Sequence, residues 1–350
     1  MKKLLSVILA VMLAFALVSC GAGESVASDS VGDSSSVGSN DYLIKIEKTL
    51  NMGVVNGAPA LAVANIAGGF DYSAEKTEVK TNVNVEKDAP SVIAGLTNGS
   101  YDMAILPLNV AAKLYNADKL GVKLVSVNIF SVLYVITTGE YTDLNDLKGK
   151  TVYSVGLGGT PDVAFKSILE SNGIAYANAD DVAEGEKNSE TVYFNGVSQA
   201  AQVIAALKTG EADFAILGEP VVTQAMANTG AKIAFSIEDE WKKAHPGVGF
   251  VQAGLIVKST VLDSFGGYID ALLAKMGENA AYLKANADKA HSDLAAIGAA
   301  LPALTEATLS RCLIGADKAT ERKADIEAFL SVLKPEEYGG KLPASDFYAR

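Results

Sequence analysis

"GSYDMAILPLN" at residues 99–109 and "GEADFAILGEP" at 210–220 are two versions of one phrase. Extended upstream, "SVIAGLTNGSYDMAIL" (91–106) and "QVIAALKTGEADFAIL" (202–217) agree at nine of sixteen positions without a gap, where an unrelated pair would share on the order of one. The offset is a constant 111 residues. Each copy reads as an apolar helix, a glycine stop and a short buried strand. A chain that repeats this unit asks to be read as two halves.

The first half begins with a strand at Leu50–Val55, preceded by the alternating stretch at 42–48. A loop "NGAP" and a helix "ALAVANIA" follow, with Pro59 in the first turn, where its missing N–H costs nothing. Strand "VNVEK", a helix over 90–98 and strand "DMAIL" complete a β-α-β-α-β order, which implies parallel strands and right-handed crossovers. The second half repeats it. Strand "TVYSV" (151–155), loop "GLGGTP", a helix from Pro161 to about Ser171 and strand "TVYF" (191–194) are followed by helix 198–208, with Ser198 as its N-cap, and strand "DFAIL" (213–217). Gly57-Ala58-Pro59 is answered by Gly159-Thr160-Pro161. Two apolar, β-rich segments, 122–138 and 248–259, read as hinge strands, and the pattern after 260 is helical to the end. The expected fold is α/β with two lobes, each a mostly parallel sheet flanked by helices: lobe one from 41–134 and 250–350, lobe two from 135–249.

At 350 residues, 49% hydrophobic, the chain suits two domains. Its formal charge of −12 repels phosphate backbones and argues against a nucleic-acid partner. "MKKLLSVILAVMLAFALVSC" has two lysines, an apolar run and small residues ahead of Cys20, the layout of a secretory leader over 1–19. Its apolar run is shorter than the roughly 20 residues of a spanning helix. "LVSC" resembles the bacterial lipobox, which implies a mature chain starting at a lipidated Cys20. Residues 20–40 are rich in Ser and Gly and read as a flexible tether. Cys312 is then left without an intramolecular partner, so no disulfide framework exists. It reads as a small buried apolar residue.

Leader, tether and the doubled "LxxGxxDxAIL" together resemble a bacterial ABC-importer substrate-binding lipoprotein, of the branch similar to nitrate, sulfonate, taurine and thiamine-pyrimidine binding proteins. "GAPALAVA", "LTNGSYDMAILPLNVAAKL", "DLKGKTVYSVGLGGTPDVAFKSIL" and "LKTGEADFAILGEPVVTQAM" carry the likeness, over roughly 48–258. The resemblance implies a type II periplasmic-binding-protein fold that closes around a small solute by hinge bending. It further implies a membrane permease as partner, a lipid anchor at the outer face of the cytoplasmic membrane, a monomer, and no cofactor or metal.

In open α/β sheets ligands sit beyond the carboxyl ends of the parallel strands. Here those exits are Asn56, Gly57 and Ala58, then Pro107 and Asn109, in the first half. In the second they are Gly158, Gly159 and Thr160, then Asn195, then Gly218 and Glu219. "GLGGTP" has two readings: backbone donors and a hydroxyl at a helix start that contact a ligand, or glycines that make a tight βα turn. Glu219 either holds a cationic ligand or caps the helix after it. Arg311, Arg322 and Arg350 all fall in the C-terminal region, so no guanidinium clamp is expected in the cleft. Tyr134 reaches the cleft or fills core; Trp241 stacks on an aromatic solute or packs domains. His245 reads as a loop residue. The competing class is an enzyme on the same fold acting on a small organic acid or a pyrimidine-related compound. Neither His245 nor His291 falls in an expected cleft loop, and no nucleophile or metal motif accompanies them.

Overall fold

Alternating and continuous apolar runs separated by glycine and proline resolve into thirteen strands and twelve α-helices among the described residues of the computed structural model, which are 46–74 and 76–350. The leader, Cys20, the tether and the start of the 42–48 stretch lie outside them.

β1 (Ile46–Val55) is one ten-residue strand, followed by α1 (Ala58–Leu61). A 3-10 turn at 64–66 ends the helical stretch, so "ALAVANIA" is not the single helix expected. An unanticipated hairpin strand, β2 (Phe70–Ala74), pairs antiparallel with β3 (Thr77–Glu86). α2 (Ala89–Asn98) is capped by the Asp88 carboxylate, which accepts the Ser91 N–H at 2.9 Å, and stops at Gly99, whose φ of 85° favours glycine. β4 (Met103–Pro107), α3 (Leu108–Asn116) and β5 (Val122–Ser131) complete the first half.

After Val132 the chain continues into β6 (Leu133–Thr137), β7 (Thr151–Val155), α4 (Thr160–Ser171), β8 (Ala175–Asn178) and β9 (Thr191–Val197). α5 (Ala200–Thr209) is capped by Gln199, not Ser198. Gln199 exchanges side-chain and backbone bonds with Gln202, and the Ser198 hydroxyl bonds only the Gln202 side chain. β10 (Phe214–Gly218), α6 (Val221–Thr229), β11 (Lys232–Ser236) and α7 (Ile237–Ala244) follow. The second crossing, 245–252, has no regular structure and becomes a strand only at β12 (Ala253–Lys258). α8 (Ser259–Gly277), α9 (Asn279–Ala285), α10 (Ala287–Ala296) and α11 (Glu306–Ser310) come next. The stretch expected to be helical throughout is then broken by β13 (Leu313–Lys318), ahead of α12 (Lys323–Ser331).

Lobe 1 is a seven-stranded sheet in the order β13-β5-β12-β4-β1-β3-β2; lobe 2 is six-stranded, β11-β6-β10-β7-β9-β8. The expected parallel core is present as β3-β1-β4 and as β9-β7-β10, and the strands added beside each core make both sheets mixed. β12 is antiparallel to both β4 and β5, and β13 is antiparallel to β5. Ser131 at the end of β5 and Leu313 at the start of β13 therefore lie at the same end of the sheet as the exits of β1 and β4.

The repeated phrase has one structural job in both lobes. Asp102 accepts the Asn51 N–H on Oδ2 and donates its own N–H to the Asn51 carbonyl, both at 2.9 Å. Asp213 does the same to Thr151, at 2.9 and 3.0 Å. Asp102 pins the start of β4 to the middle of β1, and Asp213 pins the start of β10 to the start of β7. Hydrogen bonds to an ionised group contribute about 1.5–3 kcal/mol. They also hold the register, since a one-residue slip would turn every buried side chain to the opposite face.

Where the copies differ, they differ together. Tyr101 packs its ring on Gly95 and Gly53, where an added Cβ would lie 2.2 and 2.6 Å from Cδ2. In lobe 2 the matching positions are Ala212, Ala206 and Tyr153, and these three pack in one apolar cluster. The aromatic ring has moved from the turn to the strand, and the glycines are needed only where Tyr101 sits.

The C-terminal elements, expected in lobe 1, touch both lobes. Trp241 of α7 is fully buried, with ring centroids 4.9 Å from Phe329 of α12 and 5.6 Å from Phe250 of the second crossing. Burying such a ring removes about 150–250 Å² from water, about 4–6 kcal/mol. One apolar cluster consequently runs through both sheets on this side of the molecule.

Gly95→Ala should destabilise the protein by about 1–3 kcal/mol through the clash with Tyr101, although alanine in a helix interior ordinarily gains about 1 kcal/mol over glycine. In a Tyr101→Ala background the same substitution should become neutral or stabilising. Urea unfolding of the four proteins in the cycle checks the change of sign.

Candidate functional site

The strand exits of lobe 1 meet those of lobe 2, where Asn109 beyond β4 bonds Gly158 beyond β7. At the end of β1, Asn56 is tied down: its Oδ1 accepts the Ala300 N–H at 2.9 Å and its Nδ2 donates to the Ala300 carbonyl at 3.3 Å. Gly57 follows with φ 115° and ψ −142°, a conformation that glycine alone adopts readily, and Ala58 is buried at the start of α1.

At the end of β4 the two lobes meet. Asn109 is fully buried; its Nδ2 donates to the Gly158 carbonyl at 2.8 Å and to the Glu337 carbonyl at 3.3 Å. Thr160, equally buried, donates to the Gln252 carbonyl at 2.8 Å and stands 3.4 Å from Asn109 Oδ1. Pro107 lies against Gly159, where a Cβ would come within 3.5 Å of its Cγ. Pro107, Asn109, Gly158, Gly159 and Thr160 are thus brought together across the gap, in contact with one another rather than around a space.

The "GLGGTP" loop meets its own needs. Gly156 and Gly158 have φ of 73° and 75°, which the tight turn requires. The Gly158 N–H goes to Asp162 Oδ2 at 2.9 Å and the Gly159 N–H to the Gly156 carbonyl at 2.9 Å. Lys166 neutralises the nearly buried Asp162 at 2.9 Å. Leu157, half exposed, lies over Gly196, where a Cβ would fall 1.9 Å from its Cδ1. Asn195, expected as an exit beyond a strand at 191–194, is half-buried inside β9, which continues to Val197.

At the exit of β10, half-buried Gly218 leads into Glu219, which is completely buried. Glu219 does cap α6, accepting the Thr223 N–H on Oε2 at 3.1 Å. Sequence reading missed its second partner. Arg311 Nε bonds Glu219 Oε1 at 2.5 Å, and Arg311 Nη2 donates to Thr223 Oγ1 at 2.8 Å. The expectation that no guanidinium enters the cleft is therefore corrected. β13 inserts beside β5 and delivers Arg311 to the strand-tip end of lobe 1. The available signal was the apolar run "CLIGA", obscured by helices on both sides.

Tyr134, Arg311 and Cys312 border a cavity of about 360 Å³, lined from lobe 1 by Ser131, Leu283 and Leu313 and from lobe 2 by Tyr134 and Glu238. Tyr134 donates its hydroxyl to the Arg311 carbonyl at 3.3 Å, and burial pushes its pKa up to about 12. Burial likewise pushes the Cys312 thiol up to about 12, with the Glu219 carboxylate acting in the same direction.

Trp241 takes the packing reading, its Nε1 donating to the Val248 carbonyl at 3.1 Å. His245 stacks on it, and its Nε2 lies 2.9 Å from Ser167 Oγ. That serine is buried on α4, away from the strand exits, and also reaches the Val332 carbonyl, an arrangement that holds α12 rather than exposing a nucleophile. Burial lowers the His245 pKa. Among the described residues, no cluster of three or more His, Cys, Asp or Glu side chains is placed to hold a metal, and no helix is long and apolar enough to cross a membrane.

Comparison with solved structures places this architecture. An ABC transporter protein from Parabacteroides distasonis superposes with a TM-score of 0.65 at 23% identity, covering 86% of this chain and 99% of that one. The ligand-binding component of an ABC-type import system from Staphylococcus aureus gives 0.61 at 11%, over 87% and 96%. The periplasmic aliphatic sulphonate binding protein SsuA of Escherichia coli gives 0.56 at 14%, over 81% and 87%. No protein-family model and no curated protein matches the sequence. The chain has the two-lobed α/β fold of these ABC-transporter substrate-binding proteins.

Since the thiolate is the reactive form, Cys312 should resist iodoacetamide at pH 8 in the folded protein and react at the ordinary rate once urea unfolds it. Folded-state labelling as fast as that of a free thiol would contradict the raised pKa. From pH 9 to 12 the unfolded chain releases this proton before the folded one, so stability should fall as pH rises through that window.

Proposed function

We propose that this chain is the extracytoplasmic solute-binding component of an ABC importer: it holds one small molecule between its lobes and presents the closed form to a membrane permease. The observation that carries the reading is the convergence of strand exits from both lobes on one gap, beside a cavity that both lobes line. At about 360 Å³, that cavity is near the lower end of the roughly 300–1,000 Å³ typical of ligand pockets. Its mixed lining of leucines with Ser131, Tyr134, Glu238 and Lys284 suits a compact solute with a polar group.

In this reading the candidate ligand residues are the strand-exit set, from Asn56, Gly57 and Ala58 through Pro107, Asn109 and Tyr134. Lobe 2 adds Gly158, Gly159, Thr160, Asn195, Gly218 and Glu219, and Arg311 joins them. Closure supplies the differential affinity that separates open from closed. A lipidated Cys20 and the 20–40 tether hold a monomer at the outer face of the cytoplasmic membrane, within reach of its permease.

A thermal-shift screen over sulfonates, nitrate, pyrimidines, polyamines and aromatic acids should find a solute that raises the melting temperature. One site at a hundred times its Kd adds about 2.7 kcal/mol. Calorimetry should then give one equivalent per chain, with a smaller radius of gyration at saturation. Tight binding without compaction would reject closure, and no binding in any class would reject the solute reading. Separately, Cys20→Ser should move the expressed protein from the detergent-soluble membrane fraction to the aqueous phase.

A further inference from the structure

Among the described residues two ion pairs join lobe 1 elements to lobe 2 elements. Lys334 to Glu170 runs over the surface, with side chains 48% and 42% exposed. A pair so open to water contributes about 0–1 kcal/mol. The other, Arg311 to Glu219, has side-chain exposures of 25% and 0%.

Around the second pair is a chain of hydroxyls. Thr223 Oγ1 stands 3.0 Å from both Glu219 oxygens and accepts from Arg311 Nη2. Thr308, fully buried on α11, donates to Thr223 Oγ1 at 3.0 Å, and its own oxygen lies 2.9 Å from Thr305 Oγ1. Lobe 1 therefore supplies the guanidinium and two hydroxyls, while lobe 2 supplies the carboxylate and one. The pair sits beside the first crossing, where the Glu219 N–H bonds the Val132 carbonyl at 2.9 Å.

We propose that Arg311 is a positioning residue: by neutralising buried Glu219 it permits the shut arrangement of the two lobes, and so sets how far the gap stands open before any solute arrives. The reason is an asymmetry. With the gap shut, Glu219 is cut off from water, and a buried carboxylate needs its counter-charge. With the gap open, both groups gain water and neither needs the other. Removing the guanidinium therefore penalises the shut state and spares the open one. The inference rests on the two-lobed fold and not on any solute.

The test uses the full chain with no solute added. Arg311→Met should enlarge the radius of gyration in small-angle scattering and speed hydrogen exchange at the Thr223 amide by on the order of a hundredfold. Arg311→Met with Glu219→Gln, which removes the stranded charge but keeps an acceptor for the Thr223 N–H, should return both values toward wild type. Lys334→Met should change neither. If Arg311→Met does not fold, Arg311→Lys, which loses the planar fork, should shift both readouts in the same direction by less. An unchanged radius in the Arg311 variant, a double variant as expanded as the single one, or equal expansion in Lys334→Met would overturn the proposal. Both readouts are taken without solute, so they test this role separately from solute binding.

Discussion

A carboxylate at the foot of a strand, gripping the backbone of the strand beside it, fixes the alignment on which both lobes depend. Asp102 holds Asn51 and Asp213 holds Thr151 in the same two-bond arrangement. From these anchors to their exits the paired strands run similar distances, so β1 and β4 deliver Asn56 and Asn109 to the gap while β7 and β10 deliver Gly158 and Glu219. The aspartates lie at the far ends of their strands, away from the candidate ligand positions. Their effect on the site is transmitted wholly by register.

The lobes are joined differently on their two sides. One side is apolar: Trp241, Phe250 and Phe329 make a ring cluster that belongs to neither sheet alone. The other is polar, held by Arg311, Glu219 and the threonines. Apolar packing is insensitive to small rotations, whereas bonds of 2.5–3.0 Å are lost within a fraction of an ångström.

Much of this was legible in the sequence because the duplication is an internal control. Two copies of one phrase, each with Gly and Asp at matching places, fixed the helix-stop-strand unit and the α/β order without reference to any other protein. Trp241 and Glu219 each admit two readings from the sequence; in the structure Trp241 is packed, and Glu219 caps α6 and pairs with Arg311. What was hidden came from contacts remote in the chain. β13 has no copy in the other half and is six residues long, flanked by helices whose period masks its own. Arg311 could not be placed without it, because a side chain's neighbours across a sheet edge leave no trace in local spacing. The β2 hairpin was lost for a related reason: its edge strand is largely solvent-facing and carries little apolar signal.

The chain contains one tryptophan, and it is the ring at the centre of the apolar cluster. Its indole lies within 4.4 Å of an imidazole by centroid, a group whose protonation commonly dims indole emission. The molecule thus carries its single tryptophan at the seam between its halves, a reporter that can be excited apart from the thirteen tyrosines and read in unlabelled protein.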